Sequence, residues 1–272
     1  MQSFMKELTL QEMKEIELEI LKHFHAFCVE NNIRYYLSHG TLLGTIRYKG
    51  FIPWDDDVDV LVPREDYNKI ISLFKDTEQY KLFCFERQPE YRFPYAKLCD
   101  ITTFKDEPGF DNGVKLGLDM DIFPLDAWDD DLEKAKKEVK ALQKANFRLG
   151  LTKHCKLPSS GNFVKRTAKS LLMLFCKMRG SKYYMKKIID ISTRFEGKSA
   201  RYLGDKAWCV YDERDILPAE IFEEQIELEF EGHKFFGPKG YDAYLTSLYG
   251  NYLPEPPKEK QKTHHNFKAY KI

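Results

Sequence analysis

The chain has 272 residues, of which 43% are hydrophobic and 14% aromatic, so it can bury a substantial core. Its 43 Lys and Arg balance its 43 Asp and Glu, which argues against a generally basic protein that binds nucleic acid. No apolar run approaches the roughly 20 residues of a membrane span, and the six cysteines lack zinc-ligand spacing. We expect a cytoplasmic protein. A peripheral position at the inner membrane face is a separate expectation that rests on the basic segment described below.

The first half of the chain predicts a helix followed by alternating strands and helices. Thr9 and Glu12 form a capping-box pattern, and apolar residues at three- and four-residue steps continue until Asn31. The stretches IRYYLS and DVDVLV predict strands, with a short helix in GTLLGTIR between them and another helix from Pro63 to about Phe74. Further strands are predicted in YKLFCFER, YAKLCD and KLGLDMDIF. The pattern favours an α+β fold, a sheet with helices around it.

A basic helical region follows. Asp129 and Asp130 are candidate caps for a charged helix that runs to about Arg148. The segment from Leu151 to Ile189 then contains ten Lys or Arg and no acid, with a helical apolar stripe formed by Val164, Ala168, Leu171, Phe175 and Met178. One interpretation is a solvated helix whose stripe packs in its own core. The other is a basic amphipathic helix that meets an anionic membrane face or a polyanionic acceptor.

The last part of the chain predicts a hairpin in QIELEFEGHKFFG, a helix in YDAYLTSLYG, and a tail rich in Pro and Lys. We expect one catalytic unit over residues 1–272 with three parts. Residues 30–128 form the core with the metal site, residues 129–200 form a helical, basic insertion, and residues 201–272 pack on the core as hairpin, helix and tail.

Four aspartates lie within five residues in the stretch PWDDDVDV. Because side chains of a strand alternate between its faces, Asp57 and Asp59 are predicted to share one face, about 6–7 Å apart along the strand. The stretch LDMDIF repeats the arrangement with Asp119 and Asp121, and a neighbouring strand would bring Asp121 beside the first pair. Three carboxylates of this kind suit Mg²⁺, with Mn²⁺ as a substitute, and in-line phosphoryl or nucleotidyl transfer.

The stretch HGTLLG lies directly upstream of these aspartates. Gly40 and Thr41 follow a predicted strand, where backbone N–H groups at a helix N-terminus can bind a phosphate. A lone Gly-Thr pair is weak evidence, but its combination with the downstream aspartates is specific.

The acidic cluster could also belong to a solvated turn or to an EF-hand loop. Solvated turn residues are disfavoured, because the aspartates alternate with valines and a second Asp-x-Asp strand occurs. An EF-hand loop is excluded, because it needs glycine at its sixth position and glutamate at its twelfth. Here those positions hold Val60 and Asp66.

The stretches HGTLLGTIRYKGFIPWDDDVDV and DMDIFPLD strongly resemble the LicD family of phosphocholine transferases. These are relatives of the fukutin-type transferases in the nucleotidyltransferase-fold superfamily. The resemblance extends more loosely through YAKLCDITT and GPKGYDAYLTSLYGNYLPEPP, so it covers most of the chain. It implies a nucleotidyltransferase-like mixed β-sheet core with flanking helices, and Mg²⁺-dependent transfer of a phosphodiester-linked group to a glycan hydroxyl.

The resemblance also implies roles for individual residues. The metal-binding pair of the family falls on Asp57 and Asp59, and its third carboxylate falls on Asp121. The phosphate-binding Gly-Thr falls on Gly40 and Thr41. Two basic positions of the family, an arginine and a basic residue of the YAK strand, fall on Arg47 and Lys97.

In the implied reaction, a sugar hydroxyl attacks the β-phosphorus of CDP-choline. The hydroxyl belongs to a lipid-linked precursor of teichoic acid or lipopolysaccharide. CMP leaves, Arg47 and Lys97 offset its charge, and Asp121 is the candidate general base. Three alternatives stay open: another CDP-alcohol donor such as CDP-glycerol or CDP-ribitol, plain nucleotidyl transfer, and an inactive scaffold that docks at a membrane.

Overall fold

The structure, a computed structural model, describes residues 6–157, 162–263 and 267–272. These ranges contain seven α-helices, namely α1 (Leu10–Glu30), α2 (His39–Tyr48), α3 (Arg64–Leu73), α4 (Leu132–Lys153), α5 (Phe163–Arg179), α6 (Ser181–Ser192) and α7 (Tyr241–Tyr249). The strands of these ranges are β1 (Lys6–Glu7), β2 (Tyr36–Leu37), β3 (Asp59–Pro63), β4 (Tyr80–Phe83), β5 (Ala96–Asp100), β6 (Thr103–Asp106), β7 (Leu118–Ala127), β8 (Tyr202–Asp205), β9 (Leu217–Pro218), β10 (Gln225–Phe230), β11 (His233–Pro238) and β12 (Lys268–Lys271).

A mixed seven-stranded sheet forms the centre of the fold, and the predicted α+β class is confirmed. Its strands follow the order β2-β3-β7-β5-β4, with β8 beside β7 and β9 beside β8. Only β3 and β7 are parallel among these neighbours; the other pairs are antiparallel. Helix α1 packs against β7 and β5, and α3 packs against β3 and β7. The long strand β7 therefore organises both the sheet and the packing of the helices.

The register of β7 with its two neighbours decides which polar side chains meet. Asp121 lies opposite Asp59 of the parallel strand β3 and opposite Lys97 of the antiparallel strand β5. Paired residues point to the same face of a sheet. Two carboxylates and one ammonium group from three different strands are thus brought to one place.

Several local predictions are confirmed. The Thr9 hydroxyl accepts the Glu12 N–H at 3.2 Å, while the Glu12 carboxylate accepts the Thr9 N–H at 2.9 Å, so the capping box is formed. Helix α1 ends at Glu30, with Asn31 as its C-cap. The hairpin β10–β11 and helix α7 also occur where their sequence patterns place them.

Other elements differ from the predicted ones. β2 has only two residues, and Asp57 precedes β3 instead of sharing the strand with Asp59. Helix α4 extends to Lys153 because Leu149 and Thr152 continue its buried face. The tail ends in strand β12, which pairs with both β1 and β6 and so joins the two ends of the chain.

Helices α4, α5 and α6 share a second cluster of buried apolar side chains, separate from the main core around the sheet. From α5, Met173 and Cys176 contribute to it. The predicted stripe from Val164 to Met178 does not, because its large side chains are exposed. The interpretation that this stripe packs in a core is therefore wrong. Residues 158–161 of the basic segment lie outside the described part of the chain.

Candidate active site

A pocket of about 690 Å³ opens on the face of the sheet that carries the aspartates. Its walls come from α1, α2, the loop before β3, strands β3, β5, β6 and β7, the segment after β8, and the C-terminal tail. Of the predicted site residues, six line this pocket: Gly40, Arg47, Asp57, Asp59, Lys97 and Asp121.

The acidic centre of the pocket is formed by Asp57, Asp59 and Asp121. Asp59 is buried, and its neighbour in the parallel register is Asp121. Asp57 lies just before the strand, where the Val58 carbonyl accepts the Asp121 N–H at 2.8 Å. Burial, reinforced by the Asp57 and Asp121 carboxylates, raises the pKa of Asp59 well above its ordinary value. The three carboxylates thus oppose one another electrostatically in a site with little water.

Two lysines neutralise the neighbouring carboxylate Asp119. The Lys97 ammonium donates to Asp119 Oδ1 at 2.6 Å and also to Asp121, while Lys105 of β6 donates to Asp119 Oδ2. Burial alone would raise the pKa of Asp119, but Lys105 and Lys97 outweigh it and lower that pKa. Asp119 therefore holds two buried cations in place. Both aspartates of the β7 repeat line the pocket, and Asp121 is the more exposed of the two.

The N-terminal turn of α2 reaches the pocket through His39 and Gly40. The Thr41 hydroxyl is buried and accepts the Asp59 N–H at 2.8 Å, so this side chain holds β3 against α2. A phosphate contact of Gly40 and Thr41 would therefore come from backbone N–H groups, which the positive end of a helix favours. That contact stays a prediction.

Arg47 lies in the last turn of α2 and lines the same pocket. Its guanidinium lies 5.1 Å from the centre of the Tyr48 ring. Its Nη2 atom is buried and has no hydrogen-bond partner among the described residues. A buried guanidinium nitrogen without a partner is costly unless an acceptor arrives, which suits an anionic ligand.

His39 and Glu17 are pocket residues that the sequence patterns did not single out. The His39 ring stacks on Tyr211 at 5.7 Å, and burial lowers its pKa to about 4, so it is neutral near pH 7. Glu17 of α1 is buried, and its Oε2 has no hydrogen-bond partner in the described residues. Burial and then the Asp57 carboxylate raise the pKa of Glu17. An acid on the core-facing side of α1, between Met13 and Ile20, was the sequence signal that could have identified Glu17.

The pocket residues can be compared with the needs of a divalent cation. Among the described residues, no three His, Cys, Asp or Glu side chains are gathered as a formed metal site. The donor set nevertheless fits, because Asp57, Asp59 and Asp121 offer the hard oxygen atoms that Mg²⁺ prefers. Burial and nearby carboxylates disfavour the ionised forms of Glu17 and Asp59, and a bound cation would offset that penalty.

One wall of the pocket is aromatic. Tyr95 contacts Phe123 at 4.4 Å and Trp208 at 5.7 Å between ring centres, and all three line the pocket. Trp208 is partly exposed, and Phe93 continues the wall beyond Tyr95. Of the aromatic residues near the sequence motifs, Trp54 and Phe123 line the pocket, whereas Tyr35 and Tyr36 are buried in the core.

The C-terminal tail closes another side of the pocket. Lys260 and Phe267 line it, and the Thr263 hydroxyl donates to Asp56 Oδ1 at 2.8 Å. The Lys105 ammonium lies 5.0 Å from the centre of the Phe267 ring. No motif of the tail signals this role, because its position depends on the pairing of β12 with β6.

A mixed sheet with carboxylates on adjacent strands, beside a helix N-terminus and buried cations, defines a nucleotidyltransferase-type domain. Residues 32–147 match a family model described as "LicD/FKTN/FKRP, nucleotidyltransferase domain". The chain is 34% identical over 276 aligned positions to the lipopolysaccharide cholinephosphotransferase LicD of Haemophilus influenzae, covering 98% of this chain and 99% of that protein. The chain belongs to the LicD family.

Two shorter similarities concern uncharacterised proteins of Rickettsia. One, from Rickettsia typhi, is 38% identical over 74 residues, and one from Rickettsia prowazekii is 38% identical over 61 residues. They cover 26% and 22% of this chain, and 24% and 23% of those proteins. Such short matches add nothing about function.

Proposed function

We propose that the protein is a Mg²⁺-dependent transferase that moves phosphocholine from CDP-choline to a hydroxyl of a lipopolysaccharide glycan. The observation that carries the proposal is the Asp59–Asp121 pair, which shares one pocket with Arg47 and with an aromatic wall. The similarity of nearly the whole chain to the Haemophilus protein supports the choice of phosphocholine and of the acceptor class.

Different pocket residues are proposed to bind different groups of the donor. Arg47 has an unsatisfied Nη2 atom that suits an oxygen of the diphosphate. Lys97, held between Asp119 and Asp121, supplies a second positive charge nearby. The trimethylammonium group of choline carries no N–H and prefers aromatic faces, so Tyr95, Phe123 and Trp208 are its proposed site.

Asp57, Asp59 and Asp121 would hold the Mg²⁺ ion, or Mn²⁺ in its place. When bound, the ion supplies charge neutralisation for the diphosphate and lowers the pKa of a coordinated hydroxyl. Thr41 supports this site indirectly, because its hydroxyl fixes the backbone of Asp59.

In the proposed reaction, the acceptor oxygen forms a bond to the β-phosphorus as the bond from that phosphorus to the bridging oxygen breaks. CMP leaves with the bridging oxygen, and Arg47 and Lys97 stabilise the negative charge that develops on it. The proton of the attacking hydroxyl goes to Asp121, whose pKa is raised by burial, which favours a carboxylate that accepts a proton.

The test is to incubate purified protein with Mg²⁺, a lipopolysaccharide acceptor and, in separate reactions, CDP-choline, CDP-glycerol, CDP-ribitol or CTP. We expect CMP release from CDP-choline and an acceptor whose mass increases by one phosphocholine. Release of CMP from CDP-glycerol or CDP-ribitol instead would show that the donor is a different CDP-alcohol. Release of pyrophosphate from CTP would show that the reaction is nucleotidyl transfer. Parallel reactions with a teichoic acid precursor separate the two classes of acceptor.

Asp59→Asn is the matched control for this assay. It keeps the side-chain shape and removes a charge that burial and Asp57 disfavour, so the fold is expected to persist. Turnover should be lost, and the rise in thermal midpoint that Mg²⁺ produces should shrink. Wild-type turnover in this variant would exclude Asp59 from the proposed metal site.

A further inference from the structure

Helix α5 presents a broad apolar face to solvent. Six of its large apolar side chains are between 45% and 79% exposed: Phe163, Val164, Leu171, Leu174, Phe175 and Met178. At about 100° per residue, these six lie within an arc of about 120° on the helix. The helix packs on α4 and α6 through the opposite side, where Met173 and Cys176 are buried. These six residues are called the α5 apolar face.

Basic side chains border this face on both edges. Arg179 lies at one edge, 5.0 Å from the centre of the Phe175 ring, and Arg166 lies at the other, 5.9 Å from the centre of the Phe163 ring. Lys177 is on the same edge as Arg166 by helical position. The segment from Leu151 to Ile189 contains ten Lys or Arg and no acid in a chain of zero net charge, so positive charge is concentrated in this part of the sequence.

The C-terminal end of α4 connects α5 to the rim of the pocket. The Lys153 ammonium at the end of α4 lies 3.2 Å from the centre of the Phe93 ring, and Phe93 lines the pocket. The next residue, His154, has its pKa lowered by burial and then by Lys169 and Lys177 of α5. Helix α5 is therefore near the pocket rim through its packed side, and the α5 apolar face is turned to the other side of the helix.

We propose that the α5 apolar face docks the protein on an anionic lipid bilayer, with the apolar side chains in the interface and the basic side chains on lipid phosphates. Exposed apolar residues flanked by Lys and Arg, in a helix whose own sequence contains no acid, are typical of helices that lie on a membrane. Among the described residues, the helices lack the length and the apolar run that a membrane span requires. A second copy of the chain fits less well, because a symmetric pair would bring like charges together.

The test is co-sedimentation with vesicles of phosphatidylcholine alone or of phosphatidylcholine and phosphatidylglycerol in equal parts, at low and high salt. We expect strong binding to the anionic vesicles at low salt and weak binding to the neutral ones. Replacing Arg166, Lys177 and Arg179 by Gln should weaken binding to anionic vesicles by about 100-fold, since each basic residue contributes about 1 kcal/mol. Replacing Leu171, Phe175 and Met178 by Gln should weaken binding to both kinds of vesicle.

Two control variants carry the same changes on other surfaces. Val29, Leu73 and Leu253 are exposed apolar residues, and Lys234, Lys239 and Lys268 are exposed basic ones, so Gln at either set should leave vesicle binding unchanged. Equal binding by wild type and both α5 variants would overturn the proposal. So would a dimer, measured by sedimentation equilibrium, that the apolar variant dissociates. The assay uses no donor or acceptor, and failure here would leave the proposed transferase activity untouched.

Discussion

Asp119 shows how one buried carboxylate can serve the site without entering the chemistry. Lys97 and Lys105 both donate to it, and all three side chains are largely shielded from water. Ion pairs of this kind add little net stability, but removal of one member leaves buried charges without a partner. The residue is therefore expected to matter more for folding than for turnover.

Asp119→Asn should lower the free energy of unfolding by about 3–5 kcal/mol, because two buried ammonium groups lose their shared counter-charge. Urea unfolding followed by circular dichroism measures the change. Asp111→Asn is the matched control, since its partner Arg92 forms an exposed pair that is worth less than about 1 kcal/mol. Equal effects of the two substitutions would contradict the role given to Asp119.

For Arg47, in contrast to Asp119, the expected effect of a substitution is on the reaction and not on folding. Arg47→Lys keeps the charge and loses the planar fork whose Nη2 lacks a partner among the described residues. Transfer should weaken by about 1–3 kcal/mol, measured as kcat/KM for CDP-choline, with the thermal midpoint nearly unchanged. A variant with wild-type kcat/KM would place Arg47 away from the diphosphate.

His39 gives stability a pH dependence with a defined sign. Burial lowers its pKa from 6.5 to about 4, so between these values the unfolded chain binds a proton that the native protein does not. Stability should therefore fall as pH falls through this window, by up to about 3 kcal/mol. His39→Gln should lose less stability than wild type between pH 7 and 4, measured by urea unfolding at each pH. His233→Gln, at an exposed position of the hairpin, should follow the wild-type curve.

At the scale of elements, the packing of α2 against the loop before β3 sets the distance between Arg47 and the aspartates. Gly44 faces this loop so closely that an added methyl group would clash with the Gly50 carbonyl oxygen and lie 3.0 Å from the Ile52 nitrogen. Both obstacles are backbone atoms, which cannot rotate away. The close approach of helix and loop therefore requires glycine.

Gly44→Ala should destabilise the protein by about 2–3 kcal/mol and reduce turnover, because α2 must shift relative to the loop before β3. Gly150→Ala is the matched control in α4, where an added methyl group meets no heavy atom within 4 Å. That change should stabilise the protein by up to about 1 kcal/mol through helix propensity. Thermal unfolding distinguishes the two, and a neutral Gly44→Ala would contradict the proposed packing.

At the scale of the whole molecule, the two ends of the chain meet at the site. β12 pairs with β1 on one side and with β6 on the other, and β6 carries Lys105. Phe267 precedes β12 and lines the pocket. The three-stranded sheet thus couples the pairing of the first and last strands to the position of the Lys105 ammonium group.

Ala269 is the buried residue of β12 and allows this link to be tested. Ala269→Glu should lower the free energy of unfolding by more than about 3 kcal/mol and reduce turnover, because it forces a carboxylate into the core. Lys268→Gln changes the exposed neighbour in the same strand and should have little effect on either. Full turnover in the Ala269 variant would show that the pocket forms without the end of the chain.

Features that depend on local periodicity can be predicted from the sequence alone. The capping box at Thr9, the hairpin, α7 and the Asp-x-Asp strand of β7 are readable because side-chain direction repeats every two residues in strands and every 3.6 in helices. The same alternation, with one assumption about strand order, predicted that Asp121 would lie near Asp59. Strong family motifs then indicated the class of chemistry.

Features that depend on partners far apart in the chain are visible only in the folded protein. The fold positions Asp57 before β3. In it the Thr41 hydroxyl accepts the Asp59 N–H, and Lys97 and Lys105 both donate to Asp119. It also left the stripe of α5 in solvent, although the same pattern would suit a buried helix. The physical reason is that hydrophobic periodicity reports which face of an element is apolar, whereas the surface that covers this face is chosen by the packing of the whole chain.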